Sequence, residues 1–99
     1  MQNWQTKSTD ALCKAILSLK TEAECRAFLE DICTIKEIQD ISQRLEVAKM
    51  LSQGISYATI SKETGASTAT ISRVSRSYEY GAGGYKNVIA RLEEENRDV

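Results

Sequence analysis

Thr68, Ala69, Ser72, Arg73 and Arg76 recur at the spacing of one helical face, and they are equipped for recognition rather than catalysis. Small side chains, hydroxyls and two guanidinium groups make a surface that can approach a DNA major groove and hydrogen-bond there. Ser67 and Thr68 stand where that helix would begin, and unpaired N–H groups together with the helix dipole favour a phosphate at such a place. A plainer role for Arg73 and Arg76 is pairing with carboxylates on a solvated surface. Enzymatic chemistry finds no support. The chain has no histidine to act as a general base, no Ser-His or Cys-His pairing and no recognisable metal set, so neither catalysis nor a cofactor is expected. The glycine-rich GAGG at 81–84 could suggest a phosphate loop, but such loops follow a strand, and none is expected here. It fits a helix stop and a sharp turn.

The elements that would position this face are helices. The sequence lacks proline, and its long segments carry helical rather than alternating periodicity. Residues 56–78, SYATISKETGASTATISRVSRSY, have the pattern of a helix-turn-helix. Gly65 suits the positive φ just past a first short helix, and Ser67 can cap the second. Ile60, Ala66, Ile71 and Val74 fall where two helices crossing through so tight a turn bury their common core. Upstream, a helix is expected from about Ser8 to Lys20, with Leu12, Ile16 and Leu19 on one face. Thr21 with Glu24, and Thr34 with Glu37, have capping-box spacing and open two more helices. The first of these carries an apolar stripe of Cys25, Phe28, Leu29 and Ile32, expected to be buried. The second runs to about Gln53, with Gly54 as its stop. Its apolar residues, among them Ile38, Ile41, Leu45, Val47, Ala48, Met50 and Leu51, cover more than one face needs, as if it were covered on two sides, in part by another subunit. A last helix carries Tyr85, Val88, Ile89 and Leu92. Tyr78 and Tyr80 fit either polar-tipped core residues or contacts to a nucleic-acid backbone.

Ninety-nine residues, 41% hydrophobic and 27% charged, suit one small soluble all-α domain over residues 1–99. So short a chain buries only a modest core alone, and sharing a core with a second copy is a natural remedy. No run is long enough to span a membrane and the N-terminus lacks signal-peptide order, so the cytoplasm is expected. Cys13, Cys25 and Cys33 are an odd set without secretory context, which suits neither a disulfide framework nor zinc. The net charge of −1 is unevenly spread. Lys62, Arg73 and Arg76 against Glu63 give the 55–77 segment a local +2, whereas Glu93, Glu94, Glu95 and Asp98 make the tail acidic. This balance allows DNA binding with modest non-specific affinity.

Two blocks, TIKEIQDISQRLEVAKMLSQG and ISYATISKETGASTATISRVSRSYEYGAGGYKNVI, make the chain resemble the Trp repressor-like family, in particular its YerC/YecD-type branch. GASTATISRVSR and YGAGGY are the most distinctive strings. The resemblance implies a six-helix, intertwined homodimer whose paired helix-turn-helix units bind double-stranded DNA. It thereby implies a sequence-specific transcriptional regulator of the repressor kind. It also implies an effector site at Arg44, Arg73 and Ser77, since two arginines embrace the corepressor in the tryptophan-responsive member. Val74 stands where the tryptophan-binding pattern has glycine, and its branched side chain would fill space that an indole needs. Tryptophan is therefore not the expected effector. A DNA-recognition subunit of a transposase-like mobile element is the alternative reading; that class shares the helix-turn-helix but lacks the YGAGGY continuation. A helical adaptor that does not bind DNA would need no basic recognition face.

Overall fold

The computed structural model describes residues 3–97, and Asp98 of the acidic tail lies outside them. The described residues form six helices: α1 (Lys7–Leu17), α2 (Glu22–Ile32), α3 (Ile35–Ser52), α4 (Tyr57–Thr64), α5 (Thr68–Tyr80) and α6 (Gly84–Arg97). No strand occurs among the described residues, in keeping with the all-α expectation. The chain divides into two compact units, parting between Ile38 and Gln39.

In the first unit, helix starts are set by side chains. Thr21 Oγ1 accepts from the Glu24 N–H at 3.1 Å, but the Glu24 carboxylate reaches past Thr21 and accepts from the Lys20 N–H at 2.9 Å. The expected capping box is therefore shifted by one residue on its return arm. Thr34 and Glu37 close a full box, with 2.8 and 3.1 Å bonds in the two directions. A further box, between Thr6 and Thr9, starts α1 one residue earlier than its sequence pattern suggests. Thr serves there in place of Glu or Gln, so the usual signal was missing.

Burial departs from expectation in this unit. No residue of α1 or α2 is buried. Cys25, Phe28 and Leu29 are half-buried, and Ile32 is 52% exposed. Leu12 and Ile16 are exposed as well. The apolar stripes are where the periodicity puts them, but one chain does not cover them.

The second unit contains a true core. Val47, Ala48 and Met50 from α3, Ile60 from α4, Ala66 from the turn, Ile71 and Val74 from α5 and Ile89 from α6 form one buried cluster. All four residues expected at the crossing of α4 and α5 belong to it. Leu45, Leu51, Ile55, Tyr78 and Tyr85 pack around it. At the end of α3 the Ile55 N–H donates to the Met50 carbonyl and the Gly54 N–H to that of Leu51, which seats Ile55 against this core. Tyr78 thus proves to be a core-edge residue, with the Lys86 ammonium 5.4 Å from its ring centre, whereas Tyr80 is 87% exposed.

Candidate nucleic-acid interface

The turn between α4 and α5 is fixed by local hydrogen bonds that follow from its residue types. Gly65 has φ 77°, a conformation costly for residues with a Cβ, and its N–H returns to the Ser61 carbonyl. Ser61 Oγ donates to the Ala66 carbonyl at 2.8 Å, and the Ala66 N–H donates to Thr64 Oγ1 at 3.1 Å. Ser67 then caps α5, its Oγ accepting from the Thr70 N–H at 3.1 Å. Together these bonds hold the start of α5 in place.

Beyond the turn, Ser67, Thr68, Ala69, Arg73 and Arg76 are exposed, and Ser72 is half-buried. The opposite face of α5 is anchored by Ile71 and Val74, at 0% and 2% exposure. Ser67 spends its hydroxyl within the cap, where it also lies 3.1 Å from Thr70 Oγ1. By helix geometry the first N–H groups, those of Thr68 and Ala69, have no acceptor inside the helix and remain directed outward. Thr68, Ala69, Arg73 and Arg76 are therefore displayed on the solvent side of α5, with small groups at the helix start and guanidinium groups farther along.

Arg44 and Arg73 come together as well. They line a polar hollow of about 200 Å³ with Asp40, Gln43, Thr70 and Val74. Asp40, Gln43 and Arg44 stand at i, i+3 and i+4 on α3; Thr70, Arg73 and Val74 repeat that spacing on α5. Two helical faces meet there, and this matched spacing is the signal that could have identified Asp40, Gln43 and Thr70 from sequence. Asp40 gives the hollow an acidic group beside its two cations. Ser77 does not line it. Ser77 instead lines a larger apolar groove, about 570 Å³, with Arg44, Ile41, Leu45, Tyr85 and Val88. Arg44 thus borders both hollows, and the three residues expected around one effector are divided between them.

GAGG shapes one wall of the groove. A Cβ added at Gly81 would run into the Ser77 carbonyl oxygen, so the chain can leave α5 this closely only with glycine there. Gly84 opens α6, and no strand precedes the run. Its role as helix stop and turn follows. No cluster of His, Cys, Asp or Glu able to hold a metal ion is found among the described residues, and none of their helices is long and apolar enough to cross a membrane.

A short helix, a glycine turn and a second helix with small and basic residues outward, all seated on a long helix, make up the fold of the Trp repressor-like DNA-binding regulators. The chain belongs to the Trp repressor protein family, whose pattern it matches over residues 7–93. It is 53% identical over 88 residues to the uncharacterised protein YerC of Bacillus subtilis (strain 168), covering 89% of this chain and 85% of that one. The crystal structure of a TrpR-like protein from Eubacterium eligens ATCC 27750 superposes with a TM-score of 0.87 at 54% identity, covering 90% of this chain and 92% of that one. A Trp repressor candidate from Staphylococcus aureus gives 0.86 at 50% identity, covering 90% and 89%.

Proposed function

We propose that this protein is a sequence-specific transcriptional regulator, a repressor by family analogy, that binds double-stranded DNA as a homodimer through α4 and α5. The observation that carries the reading is the exposed face of α5. Thr68, Ala69 and Ser72 offer small polar and apolar contacts to base edges, while Arg73 and Arg76 supply cations for phosphate or guanine. An adaptor that does not bind DNA has no use for that face. The continuation through Gly81–Gly84 into α6 favours a regulator over a transposase-like recognition subunit.

Dimerisation is supported by what a single chain leaves uncovered. Leu12, Ile16, Ile32, Ile35, Ile41 and Val88 are each at least 40% exposed, and Ile41 and Val88 line the apolar groove. Helices from a second copy would cover such surface. Dimeric helix-turn-helix proteins place their paired recognition helices about one helical turn of DNA apart, which makes a two-fold symmetric site the expected target. Selection of bound sequences from a random duplex pool tests this. Recovered sites should show dyad symmetry; sites without it would overturn the paired docking.

The Arg44–Arg73 hollow is the proposed effector site. Val74 forms part of its wall, and a branched side chain there would crowd an indole placed beside Arg73, so an effector other than tryptophan, or constitutive DNA binding, is expected.

A further inference from the structure

We infer that Gln43 is a positioning residue for the recognition helix, an inference that rests on the DNA-binding reading above. Its side-chain amide Nε2 donates to the Thr64 carbonyl at 3.1 Å, joining residues 21 positions apart, and the bond is partly shielded from solvent. Thr64 is the last residue of α4 and immediately precedes the left-handed Gly65. Its carbonyl is one of those that a helix end leaves without an N–H partner inside the helix. The bonds within the turn, Gly65 to Ser61, Thr64 to Ile60, Ser61 to Ala66, Ala66 to Thr64 and Thr70 to Ser67, are all local. They set the shape of the turn but do not relate it to α3.

Gln43 supplies a directional tie of that kind. The apolar cluster of Val47, Ile60, Ala66, Ile71 and Val74 brings α3, α4 and α5 together, but apolar attraction is non-directional and tolerates small rotations. A hydrogen bond weakens steeply as its angle and length depart from ideal. The Gln43 amide therefore fixes the setting of the turn on α3, and with it the direction in which Ser67, Thr68 and Ala69 leave the turn. Base readout depends on that direction more than attraction to phosphates does. Gln43 also lines the Arg44–Arg73 hollow, so the tie runs along the wall of that site.

The experiment measures, for the full chain, affinity for a selected site and for random-sequence duplex. Gln43→Met keeps the length and bulk of the side chain while removing the donor. Its preference for the selected site should fall about three- to tenfold, the loss expected from one net hydrogen bond, while random-sequence affinity stays at the wild-type value. Gln43→Glu, which sets a carboxylate against the same carbonyl, should lose at least as much and serves if the methionine variant does not fold. An unchanged preference overturns the inference and leaves the DNA-binding reading standing. An equal fall on both duplexes also overturns it, since that marks a general structural role. A wild-type protein without any sequence preference overturns the DNA-binding reading and the inference with it.

Discussion

Arg76 is exposed on α5 and, unlike Arg73, does not line the polar hollow, so the two arginines have different surroundings. Arg76→Ala should weaken binding about three- to tenfold on every duplex tested and reduce the salt slope by about 0.9 for each phosphate no longer neutralised. Titrations at several salt concentrations measure both quantities; unchanged binding would remove Arg76 from the interface. Val74 bears on the other site. Forcing an indole against its side chain would cost about 1–3 kcal/mol, or roughly fivefold to over a hundredfold in affinity. Calorimetry should find weak or no tryptophan binding to the unmodified chain, and stronger binding to Val74→Gly if Arg44 and Arg73 already stand in place. Glycine inside α5 would also lower helix stability by roughly 1 kcal/mol. Tight binding to the unmodified chain would overturn the steric argument.

At the scale of elements, local signals and covered surfaces behave differently. Gly65, Ser67 and the buried set Ile60, Ala66, Ile71 and Val74 were legible in the sequence, because caps and crossings over so short a turn are decided by near neighbours. The hollow was only half legible. Arg44 and Arg73 could be paired through the family resemblance, and the matched spacing around them offered Asp40, Gln43 and Thr70 as neighbours, but spacing alone does not say that those faces of α3 and α5 meet. The stripe of Cys25, Phe28, Leu29 and Ile32 was correct as a stripe but is not buried by one chain alone, since periodicity reports which side is apolar and not what covers it. If a second copy covers it, and covers α3 beside Leu45 as well, Phe28→Asp or Leu45→Asp should abolish folding rather than release a folded monomer. Circular dichroism with gel filtration checks this, and a stable, fully helical monomer at micromolar concentration would sink the dimer.

For the whole molecule, the distribution of charge matters more than its net value of −1. Basic groups on α5 and acidic ones at the end of α6 favour one face toward DNA and oppose indiscriminate attraction. Binding should therefore fall steeply with salt, its logarithm declining linearly at about 0.9 per phosphate neutralised, while random duplex is held weakly even at low salt. A salt series on selected and random duplexes measures both; flat dependence would exclude a phosphate-based mode.

The absence of any buried residue in α1 and α2 has a consequence for gene control. If those helices acquire their core only from a second chain, the competent species forms in proportion to the square of the chain concentration when chains are scarce. A twofold drop in synthesis would then cut operator occupancy about fourfold in that regime. The uncovered stripes would make the regulator a gauge of its own abundance, releasing its target sharply as the protein is diluted by growth.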